Sequence, residues 1–244
     1  LPRPGHADLA GVEKYGFDDI RNVLERSSAR ETTMRVALAS VCRKLLGDIG
    51  IHVASRVVQI HDIVDSSSIP SNFKIHKLNQ LADKSPVRCL NGNTEKEMIQ
   101  VIDHAKSQGD SVGGIFEVIA TGMPHGLGSY TQWNRKLQAK ITSLMMSVNA
   151  YKAIEIGSGF NSGVKFGSEI HDEIEWNGKR YTRSSNNAGG IEGGMSNAMP
   201  ITIRIAMKPI PTLTKSLKSV DIVTKEQKNA HKERTDSCAV PAAS

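Results

Sequence analysis

Apolar residues recur at helical spacing in three stretches of the chain, and each stretch is followed by a run suited to a β-strand. Met34, Ala37, Leu38, Val41 and Leu45 lie on one side of the first predicted helix, which should bury that face. Ser28 and Glu31 have the spacing of a capping box at its start, and Gly47 and Gly50 supply its stop. Ile51 to Ile60, with β-branched Val53, Val57 and Val58, then reads as a strand. The order repeats with a Thr94/Glu97 capping box, the stripe Met98, Ile102 and Ala105, a stop at Gly109 and a strand from Val112 to Ala120. A third helix is predicted from Asn134 to Val148, with Leu137, Ile141, Leu144, Met145 and Val148 on one side, followed by a strand from Lys152 to Ile156. Three helix-to-strand units indicate α/β or α+β architecture.

Antiparallel pairing is also predicted. Ile174-Glu-Trp176 and Arg180-Tyr-Thr182 flank Asn177-Gly178, a pair that suits a type I′ hairpin turn. Ile201, Ile203, Ile205 and Met207 alternate as in a half-buried strand. The polar, basic stretch from Lys215 to Lys232 reads as a loose excursion.

Composition narrows the classes. With 244 residues, 39% hydrophobic and 23% charged, the chain suits one large globular domain or two small ones and excludes a disordered or fibrous protein. A net charge of +6 favours an anionic partner without naming it. Cys42, Cys89 and Cys238 are odd in number and far apart, with no zinc-like spacing, which argues against a disulfide framework or structural metal and for a reducing, cytoplasmic setting. The longest charge-free stretch, Val118 to Asn134, is broken by Gly122, Pro124, Gly126 and Gly128 and is no membrane span. The sequence opens on Leu1-Pro2 and ends on Ala242-Ala-Ser244, as a piece cut from a longer chain would.

Several segments have residues suited to chemistry. Arg26 and Arg30 flank the capped helix start, where free amides and guanidinium groups together suit an anion; solvated arginines explain them as well. His6 lies in a turn-prone stretch with Arg3 and Asp8 nearby and can exchange a proton near neutral pH, or be merely structural. The glycines of Gly157 to Gly163 and of Asn186 to Asn197 do not fit G-x-G-x-x-G, so a Rossmann site is unsupported; they allow close approach to a flat ring or phosphate, or simply tight turns. Lys208-Pro209-Ile210-Pro211-Thr212 follows a strand with two fixed φ angles, as a rigid ligand-contacting loop or an ordinary strand exit. Arg234 and Asp236 offer a guanidinium and a carboxylate, the second a candidate base, or a solvated pair in a basic tail.

Seven segments, in order, resemble chorismate synthase over essentially the whole chain. They are Arg3-Pro-Gly-His-Ala-Asp8, Arg21 to Thr32, Gly126-Leu-Gly-Ser-Tyr130, Met145-Met-Ser-Val-Asn-Ala150, Gly167-Ser-Glu-Ile-His-Asp172, Asn186 to Asn197 and Lys208 to Thr212. The resemblance implies an α/β (α+β) fold, a sandwich of helices between antiparallel sheets, forming one domain over residues 1–244 that is incomplete at both ends. It implies a cytoplasmic lyase that converts 5-enolpyruvylshikimate 3-phosphate to chorismate, the last step of the shikimate pathway, by 1,4-anti elimination of phosphate. That family requires reduced FMN without net redox turnover, with NADPH a candidate source of electrons for its reduction, and is usually a homotetramer.

Position by position, the resemblance implies flavin contacts at Arg26, Ser27, Ser28, Asn149, Ala150, Gly193, Lys208, Pro209, Ile210, Pro211, Thr212 and Arg234. Substrate contacts fall on Arg3, Arg30 and again Arg234. His6 matches the histidine thought to protonate the reduced flavin, and Asp236 the carboxylate thought to act with flavin N5 in removing the C6 proton. The family's Gly-Glu-Ser-His-Gly segment, whose histidine protonates the departing phosphate, does not occur among these residues, and Arg234-Thr-Asp-Ser-Cys238 replaces the commoner Arg-His-Asp-Pro-Cys. The competing class is a non-enzymatic binder of phosphate or nucleic acid. Only five Phe, four Tyr and two Trp are available for base stacking, which weighs against nucleic acid as a partner.

Overall fold

The structure is a computed structural model describing residues 1–24, 26–70, 73–232 and 236–244. Its centre is a five-stranded sheet in the order Ile63–Val64, His52–Ile60, Gly114–Thr121, Ile201–Met207 and Tyr151–Ile156. All four pairings are antiparallel, which decides for α+β. Strand alternation sends Val57, Phe116, Ile203 and Ile205 to one face, where they pack with Met98 and Ala105 of helix Gly92–Ser107 and with half-buried Leu137, Ile141 and Met145 of helix Leu137–Met146. Fully burying a side chain such as Phe116 or Met98 contributes roughly 1.5–3 kcal/mol. Helix Leu137–Met146 also touches a smaller sheet ordered His125–Gly128, Met195–Asn197, Ile191–Glu192, so a helix does lie between antiparallel sheets.

The other face of the large sheet is mixed. Ala54, Ile119 and Leu78 make a small apolar cluster, while Arg56, Glu117, Arg204 and Glu155 stand in one cross-strand row of alternating charge. Arg56 Nε lies 2.9 Å from Glu117 Oε2 and Arg204 Nε 3.5 Å from Oε1, with the Arg56 and Glu117 side chains buried.

Several sequence expectations need correction. Helix Ala29–Asp48 is present, but its stripe is not buried: Met34, Leu38, Val41 and Leu45 are all at least 64% exposed, because no other described element covers them. Its Ser28 cap accepts from the amide of Arg30 at 3.3 Å, while Glu31 accepts from Arg35 at 2.6 Å in an i,i+4 pair. The second helix starts at Gly92, before Thr94, because the Asn91 side chain accepts from the amides of Asn93 and Thr94 and so makes the cap. Leu144 of the third helix is exposed. The hairpin pairs Trp176 with Tyr181 across four residues, and only Gly178 has positive φ, so the turn is not type I′. Lys218–Val220 and Gln227–Asn229 form a second hairpin where a loose excursion was expected.

Candidate active site

Helix Asp8–Tyr15 packs on Val23 through Gly11, where any Cβ would fall 2.4 Å from a Val23 methyl. The turn before that helix is therefore held against the segment leading to Ser28. Within the turn, Asp8 is fully buried. Its Oδ2 accepts from Arg3 N at 3.0 Å and Arg3 Nε at 2.9 Å, and its Oδ1 from Arg3 Nη2 at 3.1 Å and His6 Nδ1 at 2.6 Å. The helix N-terminus adds a favourable dipole for the carboxylate. Arg3 Nη2 also lies 3.1 Å from His6 Nδ1 and 3.3 Å from Nε2.

These contacts set the charges. Burial opposes ionisation of Asp8, but the side-chain and backbone hydrogen bonds from Arg3, with the charges of His6 and Arg3, outweigh it and hold the carboxyl below its ordinary range. Burial also lowers the pKa of His6, aided by the charges of Arg3 and Lys208 and opposed by Asp8. These surroundings favour the neutral ring more than solvent does, and Asp8 Oδ1 is placed to accept a hydrogen bond from Nδ1 when that atom carries the proton.

Long-range contacts join this turn to other predicted site segments. Lys208 Nζ donates to Gly5 O, and Gly5 faces Pro211. Lys208 N donates to Ala150 O at 3.0 Å, and the Asn149 side chain donates to Ser28 O at 3.2 Å. Burial, with the charge of Lys152, lowers the pKa of Lys208. Ala150 has φ +71°, a left-handed conformation costly for a non-glycine residue and held here by that strand-end contact. Ser111 donates to Ile210 O at 2.7 Å, and the neighbouring Val112 N to Ser237 O at 2.8 Å, next to exposed Asp236.

The segments containing Arg3, His6, Ser28, Asn149, Ala150, Lys208, Pro209, Ile210, Pro211 and Thr212 are therefore brought together, with Asp236 one linkage away. Arg26 and Arg30 are exposed at the helix start, and Ser27 Oγ donates to Val23 O at 2.9 Å. Gly193 is the exposed tip of a hairpin with open space beside it. Arg234 lies outside the described residues. Of the glycine-rich loops, Asn186 to Asn197 is anchored by Asp172, which accepts from the amides of Asn187 and Ala188 at 2.7 and 2.9 Å, and Gly189, Gly190, Gly193 and Gly194 have the positive φ of tight turns. A cleft of about 870 Å³ opens beside Arg3 and His6, walled across by Lys218, Ser219 and Ile222.

Sequence reasoning missed Asp8 as a member of the site. The available signal was Arg-x-x-His-x-Asp spacing in a turn, which cannot reveal that the carboxylate faces inward.

A family model described as chorismate synthase matches residues 1–244. The chain is 56% identical over 243 residues to chorismate synthase 2 of Bacillus cereus, covering 99% of this chain and 62% of that protein. It is 55% identical to chorismate synthase of Listeria welshimeri, covering all of this chain and 62% of that protein. A solved structure described as a crystal structure of chorismate synthase superposes with a TM-score of 0.79 at 46% identity, over 84% of this chain and 64% of the other. The chain thus spans somewhat under two thirds of the length of these relatives.

Proposed function

The chain belongs to the chorismate synthase family, and from that premise we propose that it forms one domain and holds much of the site of a carbon–oxygen lyase acting on 5-enolpyruvylshikimate 3-phosphate. The observation that carries this reading is the run of contacts from Gly5 through Lys208 and Ala150 to Asn149 and Ser28, which unites segments up to 203 residues apart.

The residues fit reduced FMN. Arg26 and Arg30 stand at the start of a 20-residue helix, a suitable place for a phosphate, and Gly193 leaves open space for a flat ring. Ser27, Ser28, Asn149, Ala150, Lys208 to Thr212 and Arg234 complete the proposed flavin set. When bound, the reduced flavin supplies electron density as the allylic C–O bond breaks. Arg3, Arg30 and Arg234 hold the anionic substrate, and their fixed positive charge favours the leaving phosphate as its charge develops. His6 exchanges a proton, and Asp236 acts in removing the C6 proton. NADPH is the proposed electron source.

Three free cysteines support a cytoplasmic setting, and no helix among the described residues is long and apolar enough to cross a membrane. The exposed apolar side chains of helix Ala29–Asp48 support assembly, for which the family resemblance suggests a homotetramer. The test is anaerobic incubation of the full-length protein with dithionite-reduced FMN and 5-enolpyruvylshikimate 3-phosphate. Phosphate release that depends on reduced flavin is expected; none would refute the reading.

A further inference from the structure

We propose that Asp8 is a positioning residue that locks His6 in the Nδ1–H tautomer, leaving Nε2 as the ring atom through which protons pass. The inference deepens the proposed function and rests on it for the use made of that proton. The orientation itself stands on geometry alone.

A carboxylate with no solvent exposure must have its acceptor sites filled, and Asp8 does so with four donors from two residues. Three come from Arg3, whose guanidinium and backbone N–H carry fixed protons. The fourth position, 2.6 Å from His6 Nδ1, faces an atom that can either donate or accept. An ionised carboxylate has no proton to give, so the 2.6 Å contact is favourable only when Nδ1 carries the hydrogen; Arg3 Nη2, 3.1 Å from both Nδ1 and Oδ1, then directs its proton to the carboxylate. Nε2 is then the lone-pair nitrogen. It can take a proton from water and hand it on while Nδ1 stays bonded.

The charged groups facing the ring are Arg3 and Asp8 from its own turn and Lys208 from the loop after strand Ile201–Met207. The two cations disfavour the imidazolium and Asp8 favours it. Asp8 therefore has a second effect: it keeps the ring protonatable against burial and two positive neighbours. A depressed pKa makes the imidazolium a stronger acid once formed, provided the depression is not so deep that the proton is never bound.

Asp8→Asn separates these effects from simple packing. Asn has nearly the same shape, but only one side-chain oxygen. Two Arg3 donors, N and Nε, need an acceptor at the Oδ2 position against Nη2 alone at Oδ1, so the single oxygen is directed to the Oδ2 position and the amide NH2 faces His6. Nδ1 must then accept, and the ring proton moves to Nε2.

The test is 15N NMR of imidazole-labelled protein across a pH titration, for wild type and Asp8→Asn. Wild-type His6 is expected to show a pyrrole-type Nδ1 and a pyridine-type Nε2. In Asp8→Asn the two assignments should exchange and the His6 titration should shift to lower pH. A wild-type ring protonated at Nε2, or a folded Asp8→Asn protein with unchanged tautomer and titration, would overturn the proposal. If Asp8→Asn fails to fold, the wild-type tautomer decides the matter alone. Because neither measurement needs turnover, the expected spectra together with absent phosphate release would sink the lyase reading and leave the positioning role intact.

Discussion

Two of the buried carboxylates, Glu117 and Asp8, stand beside arginines in contrasting surroundings. Glu117 sits in the middle of the large sheet between Arg56 and Arg204, and Asp8 sits in a turn between Arg3 and His6. Each answers an arginine, but only Asp8 also faces a group that changes charge near neutral pH. The row around Glu117 comes from strand register, which puts Arg56, Glu117, Arg204 and Glu155 opposite one another on rigid backbone. The knot around Asp8 comes from six consecutive residues, so its geometry is local and its chemistry depends on one proton. Pairing that neutralises charge within a sheet serves structure; similar pairing around an imidazole suits the proton-transfer role proposed for His6.

The contrast can be broken most severely at the ring. His6→Ala in the full-length enzyme should lower turnover by about 10²–10⁴-fold while leaving flavin affinity within a few-fold, since a general acid is lost and no anchor is; steady-state kinetics beside flavin titration would show it, and equal losses in both would return His6 to a structural role. Next, Glu117→Gln strands the buried Arg56 guanidinium and should cost roughly 3–5 kcal/mol in urea unfolding, with the His6 titration unmoved. A shifted His6 signal would show that the two clusters are coupled.

Arg26→Ala should weaken binding of a phosphorylated flavin by roughly tenfold at low salt, less at high salt, because the arginine is exposed and screened. Isothermal titration with FMN and with riboflavin separates the phosphate contribution from the ring. An equal effect on both ligands would remove Arg26 from the phosphate site.

The smallest expected effect is on pH-dependent stability. His6 has a folded pKa below its unfolded value near 6.5, so acidification through that range protonates the unfolded chain preferentially and stability falls. Asp8 also has a depressed folded pKa. Its contribution is full above about 4 and is lost as pH falls through the folded value. Thermal melts should therefore show a shallow decline as pH falls through about 6.5 that His6→Ala flattens, and a steeper one below about pH 4 that it does not.

Local patterning made much of the fold legible. The alternation of Ile201 to Met207 and the stripe Met98, Ile102, Ala105 each depend on neighbours within one element, where periodicity and burial coincide. The cap at Asn91 was missed because Thr94 and Glu97 offered a stronger-looking motif three residues later, and only backbone geometry chooses between such competing side chains. In the candidate site, the proposed residues were named from their types and their order along the chain. That Gly5 meets Lys208, or that Asn149 meets Ser28, was not legible there, because such contacts depend on how strands cross in space.

The sequence by itself determined the three long helices, the four long strands of the large sheet, the basic balance and the family. Tertiary structure alone decided the strand order of the large sheet, that the Met34 to Leu45 stripe lies open, and that Asp8 points inward within 2.6 Å of His6. The physical reason is range: hydrogen-bond propensity and hydrophobic period act over a few residues, whereas burial of a face or a carboxylate depends on what the rest of the chain brings against it.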